Sequence, residues 1–206
     1  MADRVLRQFD RSLEAYATGD AALAETVIET DHEVNLQYLA LEQSCIDLIA
    51  LQQPVASDLR FIAATFKILT DLERIGDLAV NLADYATWEG TSVIPPNEMH
   101  SLGEQAGTMV SQAVDAYEAN DVEAAREIAA ADDGLDDRCL DASNRVIRGL
   151  IEDTGDLSDD GAIASRMHDA SRTFLTIRDI ERVGDHGVNI CARTLYMVEN
   201  DDELIY

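Results

Sequence analysis

Asp71-Leu-Glu73-Arg74-Ile-Gly76-Asp77-Leu-Ala-Val-Asn81 recurs 108 positions later as Asp179-Ile-Glu181-Arg182-Val-Gly184-Asp185-His-Gly-Val-Asn189. The two copies keep a pair of carboxylates four residues apart, an Arg, a Gly and an Asn. A repeat that maintained packing alone would hold its apolar positions and let its charges drift. Here the charges hold. Residues at i and i+4 share one face of a helix, so a duplicated ligand site on two helices is the leading reading.

The duplication reaches well beyond these stretches. Tyr16, Asp20, Val27, Asp31 and Val34 align with Tyr117, Asp121, Ile128, Asp132 and Leu135 at an offset of 101. Helical periodicity breaks at Gly19-Asp20 and at Asn120-Asp121, its mirror. Pro54 ends the second helix, and Ser57-Asp58 is expected to cap the third. Trp88 to Asn97, with Gly90 and Pro95-Pro96, reads as a linker, and Asp153 to Gly161 as a polar turn. The pattern predicts six helices, at about 3–17, 20–52, 57–88, 98–118, 121–152 and 159–199. The expected fold is all-α, as two tandem pseudo-symmetric three-helix bundles over residues 1–90 and 97–206.

Composition agrees with that class and narrows function. Hydrophobic residues make up 47% of the 206, aromatics only 5%, and there are three prolines, a balance that favours helices over sheets. Forty-one acidic residues face fifteen basic ones, for a formal charge of −26. Such a surface repels phosphodiester backbones and anionic lipid, which argues against generic nucleic-acid or membrane binding. It suits the salty cytoplasm of a halophile, where counterions screen self-repulsion. No apolar run approaches the roughly 18 residues of a membrane span, and the N-terminus lacks a signal-peptide core. Cys45, Cys139 and Cys191 form no Cys-x-x-Cys pair, so a cytoplasmic location with reduced, core-packed thiols is expected.

Wheel arithmetic places the repeated acids on the inward side. On the second helix, Val27, Asp31, Val34, Tyr38, Leu41, Cys45 and Leu48 follow the 4-3-4-3 spacing of a core seam, and Asp31 occupies one of its positions. Ile128, Asp132, Leu135, Cys139, Ala142 and Val146 repeat it with Asp132 in the same place. On the third helix the apolar stripe runs through Ile62, Phe66, Leu69, Leu72, Gly76, Ala79 and Ala83. At about 100° per residue, Glu73 falls inside that stripe and Asp77 at its edge. Glu181 and Asp185 take the equivalent places among Phe174, Ile177 and Val188. Gly76 and Gly184 read as points of close helix approach, and Asp20 and Asp121 as N-caps.

Register then groups the acids. In an antiparallel hairpin, residues at one height have a constant sum of numbers. Asp31 with Asp77 and Asn35 with Glu73 share the sum 108, and Asp132 with Asp185 and Asp136 with Glu181 share 317. Three or four oxygen-bearing side chains therefore meet at one height in each half. Clustered, partly desolvated carboxylates must share protons, pair with Arg or hold a cation. Arg74 and Arg182 project about 100° beyond their Glu neighbours, towards solvent, which leaves a cation as the direct answer. All-oxygen ligation favours Mg, Mn or ferric iron, with zinc also open. A lone Glu-x-x-x-Asp is ordinarily a solvated face. Wheel position, height and duplication set this pair apart.

Asp31-His-Glu-Val-Asn35, Cys45, Gln53-Pro54-Val55-Ala56-Ser57-Asp58-Leu59-Arg60 and Asp71-Leu-Glu73-Arg74-Ile-Gly76-Asp77 together resemble the PhoU family of phosphate-uptake regulators. The resemblance covers essentially the whole chain. It implies a cytoplasmic, non-enzymatic homodimer that restrains phosphate uptake. Its implied partners are the phosphate ABC transporter, on the ATPase side, and in bacteria a sensor histidine kinase. It also implies iron or zinc clusters at the acidic motifs, with Glu73 and Asp77 serving one site, Glu181 and Asp185 the other, and Asp31 and Asp132 entering from neighbouring helices. Two departures stand out: Asp156-Leu-Ser-Asp-Asp-Gly161 replaces the Gln-Pro-Val-Ala-Ser-Asp-Leu-Arg turn, and Asp136 replaces Asn35. Two other functions compete. A ferritin-like di-metal oxidase needs inward Glu-x-x-His pairs, and the one such spacing, Glu29 to His32, points away from Asp31. A helical scaffold that merely tolerates its acids is the other. His32, His100, His168 and His186 do not repeat, and His186 lies opposite the stripe, so solvent-exposed or local structural roles are expected.

Overall fold

The computed structural model describes residues 1–88, 90, 93–152, 160–201 and 203–204, and its regular structure there is entirely helical. Six rods run in chain order, the fifth in two segments: α1 (Ala2–Thr18), α2 (Ala21–Gln52), α3 (Ala56–Thr87), α4 (Pro96–Ala119), α5 (Val122–Ala130), α6 (Asp132–Glu152) and α7 (Asp160–Glu199). The turn expected over Asp153–Gly161 lies outside the described residues as far as position 159. So do three positions of the linker, 89, 91 and 92.

Helix ends follow local chemistry. Gly19 closes α1 with φ at 68°, the left-handed conformation that costs glycine no Cβ clash. The Asp20 carboxylate then accepts the amides of Ala22 and Leu23 at 3.0 Å, capping α2. The second half repeats this with Asn120 left-handed at φ 55° and Asp121 accepting from Ala124 at 3.0 Å. α3 departs from expectation: it begins at Ala56, with Val55 at the N-cap and no side-chain cap. Asp58 sits inside the first turn instead, where its charge complements the helix dipole.

The fifth rod departs too. One helix over 121–152 was expected, but the chain turns at Ala131, whose amide is shared between the carbonyls of Glu127 and Ile128 at 3.1 Å each. Asp132-Asp133-Gly134 follows, three weak helix formers of which Asp prefers a first turn. The break makes Asp132 the first residue of α6.

A continuous core joins the two halves. Val5, Phe9 and Leu13 of α1, Ile75 and Leu82 of α3, Leu102 and Val110 of α4, and Ile180 and Ile190 of α7 all belong to it, with exposures of 0–2%. α1 packs on α4, and α3 crosses α7, so the third helix of each bundle lies at the molecular centre. Cys45, Cys139 and Cys191 are buried free thiols. The α2 seam holds only in part: Val27, Val34 and Cys45 are buried, whereas Leu48 is 45% exposed. α1 runs for 17 residues and α2 and α3 for 32 each. At roughly 1.5 Å per residue, the far end of the α2–α3 hairpin extends beyond α1, the first helix of its bundle.

Candidate metal centre

The repeated glycines position the repeated acids. Gly76 on α3 faces α2 so closely that an added Cβ would lie 3.4 Å from Val34 and 3.8 Å from Asp31 Oδ1. At Gly184 on α7 the same atom would meet Leu135 Cδ2 at 2.5 Å and Asp132 Oδ1 at 3.1 Å. Small residues let the rods approach, and the carboxylate of the neighbouring helix settles over each glycine. The heights expected from residue sums are those found.

In the second half this produces a tight cluster. Carboxylate oxygens of Asp132, Asp136 and Asp185 lie within 4.8 Å of one another, the one group among the described residues with metal-ligand geometry. Asp132 Oδ1 is buried without a hydrogen-bond partner. Burial, followed by repulsion from Asp136 and Asp185, pushes the Asp132 carboxyl up to about 6. Burial and then Asp136 raise Asp185, and the same causes together with Asp185 raise Glu181. Negative charge is crowded here: His186 and Arg182 offset part of it at Asp185, while every cause acting on Asp132 and Glu181 raises them, and Arg182 forms its ion pair with Asp179 at 3.9 Å. An unpartnered buried acceptor beside further carboxylates fits a hard cation.

The first half is arranged differently. Asp31 accepts from Gln8 Nε2 at 3.0 Å and from Asn35 Nδ2 at 2.8 Å, so both its oxygens are engaged. Arg74 contacts Asp77 at 3.2 Å and Glu73 at 3.5 Å. The Cα direction of Arg74 does face solvent, as the wheel indicated, but its long side chain folds back along the helix. The inference that it could not neutralise these acids is therefore corrected. Glu73 is still raised, by burial first and by Asp77 second. One amide-for-carboxylate exchange, Asn35 for Asp136, and one arginine's pose separate an internally paired cluster from an open one.

Of the six residues singled out from sequence, Asp132 and Asp185 converge most closely, Glu181 is electrostatically coupled to them, and Asp31, Glu73 and Asp77 share a half-buried patch. Asp136, placed by register at the height of Glu181 and noted as the replacement of Asn35, is a full member of the second cluster. The sequence reading missed a different function of the motif ends. Asn81 donates to Asp179 at 3.3 Å, and Asn189 donates to Asp71 at 3.2 Å. Tyr85 Oη adds a bond to Asp179 at 2.9 Å, as does Arg178 at 2.7 Å, which together satisfy a fully buried carboxylate. Burial, with that bond to Asp179, lifts the Tyr85 phenol to about 12. His186 bonds Asp71 at 2.9 Å and is half-buried between the bundles. The repeated stretch thus serves two ends. Its inner carboxylates form the clusters and its outer Asp and Asn bind one bundle to the other.

Known proteins are similar to this chain in sequence and fold. The model of the PhoU domain matches twice, at residues 1–86 and 99–194. A protein of Pseudomonas putida named phosphate-specific transport system accessory protein PhoU homolog is 31% identical, over 98% of this chain and 76% of its own length. The phosphate-specific transport system accessory protein PhoU of Escherichia coli K12 is likewise 31% identical, over 98% of this chain and 80% of its own. The crystal structure of PhoU from Pseudomonas aeruginosa superposes with a TM-score of 0.88 at 30% identity, covering 98% of this chain and 93% of that one. A second, the phosphate transport system regulatory protein PhoU from Streptococcus pneumoniae, gives 0.83 at 26% identity, over 97% and 90%. With the duplicated motif, the glycine-seated acids and the paired bundles all in place, the chain belongs to the PhoU family.

Proposed function

We propose that this chain is a non-enzymatic, cytoplasmic negative regulator of phosphate uptake that acts by contact with the ATPase side of the phosphate ABC transporter. What carries the reading is the match of relatives named for the phosphate-specific transport system along 98% of the chain. No described helix is long and apolar enough to cross a membrane, which is consistent with docking from solution. A homodimer and a sensor histidine kinase as second partner belong to the same proposal. Co-purification with the transporter's ATPase subunit tests it, and loss of that subunit from the captured fraction at physiological ionic strength would count against it.

The acidic clusters are part of this proposal. Asp132, Asp136 and Asp185, with Glu181 beside them, would hold a hard cation such as Mn, Mg or ferric iron, or zinc, singly or as a cluster. Asp31, Glu73 and Asp77 would form a weaker site that requires Arg74 to swing away. A cation bound there supplies Lewis acidity and open positions for a carboxylate or phosphate of the partner. The chain's own residues set the seat: Gly184 brings α6 against α7, and the break at Ala131 places Asp132 at the edge of the seam. The oxidase reading gains no support from the His positions. His32 is exposed and engages the Glu29 carbonyl at 2.7 Å, and neither cluster contains an imidazole.

A further inference from the structure

We propose that the groove between α1 and α2 binds a compact oligophosphate, held chiefly by Arg7 and Arg11. The groove encloses about 560 Å³, and Arg4, Arg7, Gln8 and Arg11 line it over an apolar floor that includes Val27 and Val34. The three arginines follow i, i+3 and i+7 spacing along one face of α1, a span of roughly 10 Å.

The lack of partners at Arg7 and Arg11 is the informative point. In a chain with 41 acidic residues, neither Arg7 nor Arg11 makes an ion pair or hydrogen bond among the described residues. Arg74, Arg126, Arg145 and Arg178 are all committed to carboxylates. Two acids, Asp10 and Glu33, also line the groove, and both are otherwise engaged. Glu33 pairs with Arg4, and Asp10 turns towards α4, where its Oδ1 would lie 3.9 Å from a Cβ on Gly107.

Comparison between the halves shows that this charge is not a by-product of the fold. At the offset of 101 the positions of Arg4 and Arg7 are taken by Gln105 and Thr108, and the groove between α4 and α5, which overlaps the corresponding place at Gln112, Ile128 and Ala131, has no basic residue in its lining. Arg11 corresponds there to Gln112. A third groove, between α4 and α6, also has three arginines, but Arg138 is bonded to Gln105 and Ser101 and Arg145 to Glu98. Of these three grooves, the α1–α2 groove alone presents two guanidinium forks uncommitted among the described residues.

Guanidinium forks match the oxygens of phosphate in bidentate fashion. Several of them within roughly 10 Å call for several negative charges at that spacing, which a di- or triphosphate chain provides. The volume falls in the range of small-molecule sites. A long acidic peptide would extend over a surface carrying −26 charges, whereas a compact ligand interacts mainly at short range. Gln8 forms the inner wall and donates to Asp31 at 3.0 Å, so an occupant would sit one side chain from the first acidic cluster. The proposal does not depend on metal binding there. The phosphate chain could come from a nucleotide or from inorganic polyphosphate.

Isothermal titration of the chelator-treated full chain tests this, with inorganic tripolyphosphate, ATP and a glutamate-rich peptide as separate titrants. Tripolyphosphate should bind one per chain, and Arg7→Ala/Arg11→Ala should weaken it about 100-fold. Lys67→Ala/Arg148→Ala removes the same two charges elsewhere and should change the affinity by no more than about threefold. Both double variants alter exposed side chains, and their thermal melts verify folding. Equal affinity for ATP and tripolyphosphate would place recognition in the phosphate chain, and tighter ATP would add nucleoside contact with the apolar floor; either supports the site. Failure of both phosphates to bind, equal losses in the two double variants, or tighter binding of the peptide would overturn it.

Discussion

Asn81 on α3 donates its side-chain amide to Asp179 on α7 at 3.3 Å across 98 residues of chain, and the mirror pair, Asn189 to Asp71, stands at 3.2 Å. The two bonds are related by the pseudo-twofold axis that relates the halves. Asp179 is fully buried, and the hydrogen bonds from Asn81, Tyr85 and Arg178, with the Arg182 charge at 3.9 Å, offset its desolvation. Asp71 remains partly accessible beside His186. Tyr85→Phe should therefore destabilise the fold by about 1–3 kcal/mol, because it leaves a buried carboxylate oxygen with only the longer bond from Asn81. Asn189→Ala should cost less, about 0.5–1.5 kcal/mol. Urea unfolding of both variants checks the order, and equal losses would contradict the asymmetry.

The two repeated glycines should respond differently to the same change. A methyl at Gly76 meets Val34 at 3.4 Å, an ordinary contact, and gains helix propensity of about 1 kcal/mol. At Gly184 it meets the fully buried Leu135 at 2.5 Å and displaces Asp132. Gly76→Ala is expected to be neutral or mildly stabilising, and Gly184→Ala to lose about 1–3 kcal/mol through overpacking. Thermal melts in the presence of chelator separate the two.

Stability of the metal-free chain should depend on pH through Asp132. Its folded value, about 6, lies above the ordinary carboxylate value of 3.8. Between those limits the folded state holds a proton that the unfolded state has released, so stability rises as pH falls from about 7 towards 4. Glu181 and Asp185 are raised and act in the same direction. Asp132→Asn should stabilise the chelated protein at pH 7.5 and flatten this part of the profile. A variant that tracks the parent at every pH would show that the carboxylate is not strained.

The charge of −26 predicts a strong salt response. Raising KCl from 0.1 to 2 M should increase the melting temperature, because screening removes self-repulsion that the compact state feels more than the unfolded chain. A melting temperature indifferent to KCl would remove the argument for a saline interior.

Much of this was legible in the sequence because each feature was locally encoded. The Gly19-Asp20 and Asn120-Asp121 stops are single-residue chemistry, and the hairpin register follows from counting. The break at Ala131 was missed because Ala-Ala-Ala-Asp-Asp-Gly is compatible with either a helix or a turn, and Thr30-Asp31 in the first half continues without interruption. Arg74 was misjudged because a helical wheel locates Cα and says nothing of where a four-bond side chain ends. The Asn81–Asp179 and Asn189–Asp71 pairs left a trace that could have been followed. Both pairs add to 260, the signature of antiparallel α3 and α7 in direct contact. Nothing local in the sequence says that those two helices meet, since the pairing is a property of the assembled core.

The central claim is that the acids of the second bundle are open to a cation and those of the first are already paired with Arg74, Gln8 and Asn35. Titration of the chelated protein with Mn(II), read by elemental analysis after gel filtration, tests it in three forms: parent, Asp132→Asn/Asp136→Asn and Glu73→Gln/Asp77→Asn. The parent should retain metal, the Asp132/Asp136 variant should lose the tighter component, and the Glu73/Asp77 variant should keep it. A parent that retains none, or an Asp132/Asp136 variant that binds as tightly as the parent, would contradict the account.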